Sequence, residues 1–278
     1  MKIPVVILNY NSSSDCRKCV SFLKKQKGVD IEIILVDNCS KEYDLTSLRK
    51  LAEEQGCTLL ESKENRGYNA GNNIGLRYAV EKDYKYALIA NPDMEFPQSH
   101  YIASLAQIME QDEQIAVCAS DIVTPEGLHQ NPLRELGYYE ELFWPITILR
   151  NRKNGNIFIM DSIQSGYCDK VSGCCFMICL SFVKKIGFFD ENVFLYSEEP
   201  ILAKQVQYSN RKMYYLSTAQ SIHRHIKSEK GNSKPRMRAL MTSRKYYLRN
   251  YSGFSQIKLM IMFASKTIEK WFVELFVK

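Results

Sequence analysis

The sequence has no uncharged apolar segment long enough to cross a membrane. In its apolar C-terminal segment the longest uncharged run, Leu259 to Ser265, is far shorter than the ~20 residues that a spanning helix needs. Near the N-terminus the run Ile3 to Leu8 is too short for a signal-peptide core, and no small-residue cleavage site follows it. We therefore expect a cytoplasmic protein. The length of 278 residues is enough for one large α/β domain, which we expect to be followed by a tail.

The nine cysteines lack the pattern of a disulfide framework or a zinc site. Their number is odd and they are spread along the chain, so reduced thiols are expected. Cys16 and Cys19 form a lone C-x-x-C, and no second pair at matching spacing completes a zinc site. Thiols buried on a helix are the favoured interpretation, and a metal or redox role is the alternative.

The charges are divided unevenly along the chain. Residues 1–203 hold 21 lysines and arginines against 28 aspartates and glutamates, whereas residues 204–278 hold 16 against 3. The first part therefore carries a net charge of −7 and the second +13. A strongly basic end predicts an anionic partner, such as a membrane surface, a diphosphate or nucleic acid.

The first 120 residues alternate between strand and helix patterns. Strands are predicted at 4–10, 31–38, 57–62, 85–90 and 115–120, and helices at 15–27, 45–55, 69–82 and 99–109. Such alternation is typical of βαβ crossovers and of a mostly parallel sheet with helices on both faces. Ligands of such sheets bind beyond the carboxyl ends of the strands.

Polar side chains follow three of the predicted strands. Within "YALIANPDMEF" the strand ends at Asn91-Pro92-Asp93, because Pro92 cannot donate a hydrogen bond to a central ladder. The other two strands end in the same way, at Asn9, Tyr10 and Asn11 and at Asp37 and Asn38. Asparagine and aspartate are also good turn formers, but three such ends meeting at one sheet edge favour a ligand site.

A glycine- and asparagine-rich segment, "ENRGYNAGNNIGLRYA" (64–79), opens a predicted helix. Gly67, Gly71 and Gly75 recur at a spacing of four, and neither the dinucleotide fingerprint nor the P-loop is present. Such an entry lets the backbone approach a phosphate or a base, with Arg66 contributing charge.

Six segments together resemble the family 2 glycosyltransferases, in particular the rhamnosyltransferase-like branch of bacterial surface polysaccharide synthesis. They are "VILNYNS", "IILVDNCS", "ENRGYNAGNNIGLR", "ALIANPDMEF", "DKVSGCCFMICLSFVKKIGFFDENVFLYSEE" and "SIHRH". The resemblance runs from about residue 3 to about residue 250. It implies the GT-A fold and an inverting, metal-dependent displacement of a nucleoside diphosphate by an acceptor hydroxyl.

The resemblance also implies the roles of particular residues. Asp93 would hold Mg²⁺ or Mn²⁺ on the diphosphate, with His223 as a further ligand, His225 as its alternate, and Asn91 near the ribose. The remaining donor-binding positions implied by it are Asn9, Asn11, Asp37, Asn38, Arg66, Gly67, Asn72, Ser172 and Gly173. Structural or turn-forming roles are the alternatives for these residues.

Two adjacent acids are the candidates for the general base. By resemblance Glu199 occupies the position of the base and Glu198 precedes it. This chain departs from the family's usual x-E-D phrase, because Glu replaces Asp, Pro200 follows at once, and Ile201 stands where another acid is common. Two exposed carboxylates favouring a helix start are the alternative interpretation.

The C-terminal segment predicts two helices, a basic one and an amphipathic one. Apolar residues at 257, 260, 261, 264, 268, 271, 272 and 275 share one helical face, with Trp271, Phe272 and Phe276 as candidate membrane anchors. Packing of this face on the catalytic domain or on a second subunit is the alternative. We expect a catalytic domain at 1–230, divided at residue 120 into nucleotide and acceptor parts, and a helical extension at 231–278.

Together these features predict a glycosyltransferase peripheral to the cytoplasmic membrane. Its donor would be a nucleoside-diphosphate sugar, dTDP- or UDP-linked and with L-rhamnose favoured, and its acceptor a polyprenyl-diphosphate-linked saccharide. A nucleotide-sugar-binding module with impaired catalysis is the alternative that the "SEEPI" phrase raises. A sugar-nucleotide pyrophosphorylase is disfavoured because the Gly-rich, Arg-Lys-bearing loop after strand one is missing, and nucleic acid is not an expected partner.

Overall fold

The chain is built around one nine-stranded sheet. A computed structural model describes residues 1–154, 158–160, 164–224 and 233–276. The strands are β1 (Lys2–Asn9), β2 (Asp30–Asp37), β3 (Thr58–Glu61), β4 (Tyr86–Ala90), β5 (Met94–Glu95), β6 (Ile115–Val123), β7 (Gly166–Cys168), β8 (Cys175–Cys179) and β9 (Lys212–His223). The helices are α1 (Ser13–Leu23), α2 (Glu42–Gln55), α3 (Tyr68–Glu81), α4 (Tyr101–Gln111), α5 (Tyr138–Leu142), α6 (Trp144–Asn154), α7 (Leu180–Lys185), α8 (Glu198–Tyr208), α9 (Ser233–Asn250) and α10 (Gln256–Phe276).

The predicted α/β architecture is confirmed. All the strands and helices expected in the first 120 residues are present, with ends displaced by at most four residues. Successive side chains of a strand point to opposite faces, and β1 is buried from Ile3 to Asn9 without a break. Side chains on both faces of β1 are therefore buried. Because the sheet is covered on both faces, the apolar runs of β1, β2 and β4 are continuous rather than alternating.

The sheet order is β3-β2-β1-β4-β8-β6-β9-β5, with β7 paired to β9. β8 runs antiparallel between β4 and β6, which would otherwise be parallel neighbours. This insertion brings the segment before β8 to the end of β4, where the Asn91 backbone N–H donates to the Cys174 carbonyl at 2.8 Å. Two motifs more than 80 residues apart in the chain thus become adjacent.

The C-terminal helices pack on the segment around Val193 and Ile201 through a second, smaller core. Tyr247 and Leu248 of α9 and Leu259 and Met262 of α10 cluster there with Val193 and Ile201. In the described ranges, no helix combines the length and the apolar character needed to cross a bilayer. All nine cysteines are free thiols, and Cys16 and Cys19 are buried on α1.

Candidate active site

The ends of β1 and β2 form a buried polar floor. Asn9 and Asp37 are directly opposite each other in the parallel ladder, and both are fully buried. The Asn9 side-chain amide donates to Asp37 at 3.0 Å and to Asp44 at 2.8 Å. Asp37 also accepts from the Ser40 backbone N–H at 2.9 Å. Asn9 thus orients the Asp37 carboxylate. Asn11, in the loop after β1, is partly exposed.

The residues that precede α3 form the adjoining wall. Asn38 donates to Asn65 at 3.0 Å and to the Gly67 carbonyl at 3.3 Å, so β2 and this segment are joined. The Arg66 guanidinium lies at the surface and pairs with Glu191 at 2.9 Å. A side chain at Gly67 is excluded, because its φ is 98° and an added Cβ would lie 2.2 Å from the Phe194 carbonyl oxygen.

The other two glycines of this segment have a packing role. A Cβ at Gly71 would lie 2.4 Å from the Leu8 side chain, and one at Gly75 would lie 2.5 Å from Val6. Their spacing of four therefore lets α3 lie close against β1. Asn72, between them, is fully buried, and its side-chain oxygen accepts no hydrogen bond from the described residues.

Asp93 and His223 meet at the end of the sheet. After Pro92 the chain re-enters the sheet as the two-residue strand β5, whose Met94 lies opposite His223 of β9. His223 Nε2 is 3.3 Å from Asp93 Oδ2, and His223 Nδ1 is 2.8 Å from the side-chain oxygen of Gln130. Burial lowers the pKa of His223, but hydrogen bonds with Asp93 and Cys174 outweigh it and raise that pKa to about 10.

This pair provides donors that suit a hard divalent cation. One carboxylate and one imidazole converge, and Mg²⁺ and Mn²⁺ take the rest of their ligands from phosphate oxygens and water. Within the described part of the chain, no group of three or more His, Cys, Asp or Glu side chains is arranged to hold a metal. His225, the alternate to His223, lies outside the described residues.

The turn before β8 lies between Tyr68 of α3 and Glu199, the candidate base. The Ser172 backbone N–H donates to the Asn131 side-chain oxygen at 2.7 Å, which fixes the turn. The Gly173 backbone N–H lies 3.4 Å from Glu199 Oε1, and the Gly173 carbonyl accepts from the Tyr68 hydroxyl at 2.7 Å. Glu199 therefore lies on one side of this turn and the end of β4 on the other.

The two adjacent acids have different surroundings. Glu198 accepts from the Tyr196 backbone N–H at 2.7 Å, and burial together with the charge of Glu199 raises the pKa of Glu198 to about 7. Glu199 lines an open cleft with a volume of about 420 Å³, of which Glu198 is not part. Pro200 lies in the first turn of α8, where a backbone N–H has no acceptor within the helix.

The cleft beside Glu199 is lined by charged pairs and aromatic rings. Its four basic side chains are each paired with a carboxylate: Arg134 with Glu140, Lys170 with Glu135, Arg244 with Glu141 and Lys266 with Glu269. Trp144, Phe158 and Tyr196 contribute the rings. Polar groups beside aromatic surface suit a sugar, since its hydroxyls take hydrogen bonds and its ring faces are apolar.

Three residues of the site were not identified from the sequence. Tyr68 could have been noticed as the residue after Gly67 in the glycine-rich segment. Gln130 and Asn131 carry no local signal, because their partners, His223 and Ser172, are 93 and 41 residues away in the chain.

Two solved structures share this architecture. The chain superposes over its full length on 76% of a TarS fragment from S. aureus in complex with UDP, with a TM-score of 0.59 and 16% identity. It matches 76% of the mannosyltransferase PcManGT from Pyrobaculum calidifontis, in complex with GDP-Man and Mn²⁺, over 99% of its own length, with a TM-score of 0.60 and 13% identity. At these identities the likeness shows the GT-A fold.

Sequence relatives agree with the structural comparison. The low-salt glycan biosynthesis hexosyltransferase Agl10 of Haloferax volcanii is 28% identical over 225 residues, which cover 80% of this chain and 66% of Agl10. The glycosyltransferase GlyA of Streptococcus pneumoniae is 23% identical over 77% of this chain and 30% of GlyA. The chain thus spans just under two thirds of Agl10 and less than a third of GlyA. The family model "Glycosyl transferase family 2" matches residues 5–177, so the chain belongs to glycosyltransferase family 2.

Proposed function

We propose that the protein is an inverting, metal-dependent hexosyltransferase that moves L-rhamnose from a dTDP- or UDP-sugar to a saccharide hydroxyl. The observation that carries the proposal is the turn before β8. Cys174 of this turn lies at Asn91 and beside the Asp93–His223 pair, and Gly173 lies at Glu199. A diphosphate-binding group and a carboxylate open to a cleft thus flank one short backbone segment, as a displacement at the anomeric carbon requires.

The reaction assigns one task to each part of the site. Asp93 and His223 would hold a divalent cation, which would supply positive charge to the departing diphosphate. Glu199 accepts the proton of the acceptor hydroxyl, whose oxygen forms the new bond to the anomeric carbon. The bond from that carbon to the diphosphate breaks, and its electrons leave with the diphosphate. Asp37, Asn38, Arg66 and Asn72 line the side on which we place the nucleoside.

The relatives support the coarse reaction and leave the sugar to experiment. Agl10 is named as a hexosyltransferase, and the two structural neighbours hold UDP and GDP-Man. We place the donor of this chain in the same chemical class. The paired charges of the cleft suit the saccharide of the acceptor, so we place the acceptor's lipid diphosphate outside the cleft, towards the basic helix α9.

A panel of nucleotide sugars, scored for thermal stabilisation with Mn²⁺ and then for donor consumption, tests this function. A ligand that binds only the native state raises its apparent stability, so the preferred donor should give the largest increase in Tm. We expect dTDP-L-rhamnose to rank first and to be consumed when a saccharide acceptor is added. Stabilisation without consumption over a range of acceptors would favour the impaired binding module instead.

The apolar face of α10 supports a peripheral position at the membrane. Ile257, Met260, Ile268, Trp271 and Phe272 are exposed, and α10 packs on the protein through the opposite side, with Leu259 and Met262. This exposure disfavours packing of the face on the catalytic domain, although the Phe272 ring contacts Trp144 of α6, and packing on a second subunit is the other alternative. Nearby, α9 holds six lysines and arginines and no acid, which would attract an anionic leaflet.

A second exposed apolar surface adjoins this face. The rings of Trp144 on α6 and Phe272 on α10 are 5.5 Å apart between centroids. Beyond Trp144, α6 exposes Ile146 and Leu149. Both helices also line the cleft that contains Glu199, so a bilayer contacting them would lie beside the acceptor cleft.

We expect Ile268→Glu and Leu149→Glu each to weaken binding to anionic vesicles by roughly tenfold, because each places a charge where an apolar side chain would enter the interface. Leu128→Glu is the matched control, since Leu128 and Leu149 are 66% and 63% exposed but Leu128 lies in a turn after β6. Vesicle sedimentation measures the binding, and transfer to a soluble acceptor analogue should be unchanged. Point variants are preferable to removing residues 255–278, which would delete the buried Leu259 and Met262.

Equal binding by all three variants would contradict a membrane role for these helices. If only Ile268→Glu released the protein, α10 would be the membrane contact and α6 would not.

A further inference from the structure

The segment that carries Glu199 into position has an unfavourable backbone conformation. Tyr196 and Ser197, the two residues before α8, have φ values of 71° and 65°, in the left-handed region. Residues with a Cβ adopt this region at a cost in free energy, and two in succession persist only if other contacts hold them.

The donor side supplies some of these contacts. The Tyr68 backbone N–H donates to the Phe194 carbonyl at 2.9 Å, where Gly67 allows the two backbones to approach. The Asn69 side-chain amide donates to the Asp190 carbonyl at 2.7 Å. These bonds fix one side of segment 190–197 to the start of α3.

The other side is held by α9. The Ser243 hydroxyl, which is buried, donates to the Leu195 carbonyl at 2.7 Å, one residue before the left-handed pair. The Tyr246 hydroxyl and the Tyr251 hydroxyl, just after α9, donate to the Asp190 carboxylate at 2.8 and 2.6 Å. Burial raises the pKa of Asp190, but hydrogen bonds from Tyr251, Asn192 and Tyr246 outweigh it and lower that pKa.

We propose that α9 is a positioning element for the transferase reaction, and that Ser243 acts through Leu195 to hold the backbone from which Glu199 reaches the acceptor. This inference rests on the proposed function, because it takes Glu199 as the base. Ser243 is not among the residues that line the cleft. Its role is to make the left-handed turn at 196–197 the dominant conformation, with the carboxylate of Glu199 aimed into the cleft.

The test compares Ser243→Ala with a variant that removes the strain. We expect Ser243→Ala to lower turnover about tenfold at saturating substrates, the effect of one lost hydrogen bond. The Kd for the donor should change less than twofold, because the ends of β1 and β2 are untouched. Adding Ser197→Gly should restore turnover to within about threefold of the wild type, since glycine adopts positive φ without a Cβ penalty.

Ser209→Ala is the matched control, because the Ser209 hydroxyl donates to the Val206 carbonyl at 2.8 Å, at the end of α8. Unchanged turnover in Ser243→Ala, or no recovery with Ser197→Gly, overturns the proposal. If Ser243→Ala does not fold, Tyr246→Phe is measured by the same criteria. Glu199→Gln is assayed in parallel: if it is fully active, the proposed base is wrong, whereas an inactive Glu199→Gln beside a fully active Ser243→Ala refutes only the positioning role.

Discussion

Asp93→Ala is expected to lower metal-dependent transfer by roughly 10³-fold or more. A factor of this size corresponds to the several kcal/mol of activation free energy that a cation at a leaving group can supply. The substitution removes the carboxylate that lies 3.3 Å from His223. Initial rates are measured with saturating donor while Mn²⁺ is varied. The fold should persist, because Asp93 joins β5 to β9 through its backbone carbonyl, which accepts from the Arg224 N–H at 2.9 Å.

Glu95→Ala is the matched control for this measurement. Glu95 lies two residues further along, in β5, and its carboxylate pairs with the exposed Arg224 at the surface. Its loss removes a negative charge from the same strand without removing either member of the Asp93–His223 pair. Transfer should stay within about threefold of the wild type, because the half-exposed Arg224 can be solvated by water when its partner is lost. Equal activity of Asp93→Ala and the wild type, with donor and Mg²⁺ both saturating, would refute the metal assignment.

Glu199→Gln should lower the turnover number by roughly 10²-fold or more, the range typical of a lost general base. Glutamine has nearly the same shape, and its side-chain oxygen can still accept from the Gly173 N–H, so the turn before β8 should keep its conformation. Donor affinity should therefore change little, and the loss should fall on the chemical step. Single-turnover rates together with donor Kd separate these two effects.

Glu198→Gln should reduce turnover much less and should change stability in a pH-dependent way. In the native state the pKa of Glu198 is about 7, above its ordinary value of 4.5, so between these pH values the native state holds a proton that the unfolded state releases. The wild type therefore loses stability as pH rises from about 4.5 to 7. The variant lacks this penalty, and its Tm should exceed that of the wild type by roughly 3 °C or more at pH 8 and by little at pH 5.

A larger turnover loss in Glu198→Gln than in Glu199→Gln would move the base to Glu198. Full activity in both variants would exclude the displacement mechanism proposed above. Both measurements depend on the placement of the two acids, since Glu199 lines the cleft and Glu198 accepts the Tyr196 N–H.

Local patterns determined the architecture of residues 1–120 and indicated most of the candidate residues. The apolar runs that become β1, β2 and β4 are continuous because these strands are buried on both faces, and burial of that kind is visible in a single sequence. Pro92 marked the end of β4, because a proline cannot continue a central ladder. The order and spacing of the six motifs then indicated the family, which the family model confirms.

The same local reasoning could not decide what each glycine and asparagine does. Gly71 and Gly75 looked like a phosphate-binding entry, yet they are small because Leu8 and Val6 lie against them. Asn9 is a predicted donor contact, and in the structure it is fully buried and donates to the Asp37 carboxylate. Sequence spacing shows which residues share a helix face or a strand end, but the reason for a small or polar residue lies in what packs against it.

The sequence by itself determined the α/β alternation, the acids at the strand ends and the amphipathic C-terminal helix, because each depends on neighbours within a few residues. Only the tertiary structure decided that β8 enters between β4 and β6, that Gln130 contacts His223, and that α9 holds Leu195 and Asp190. The two hydrogen bonds at Leu195 and His223 join residues 48 and 93 positions apart, which is too far for a local pattern to predict. These contacts follow from the burial of the whole sheet and of the second core, which no local pattern encodes.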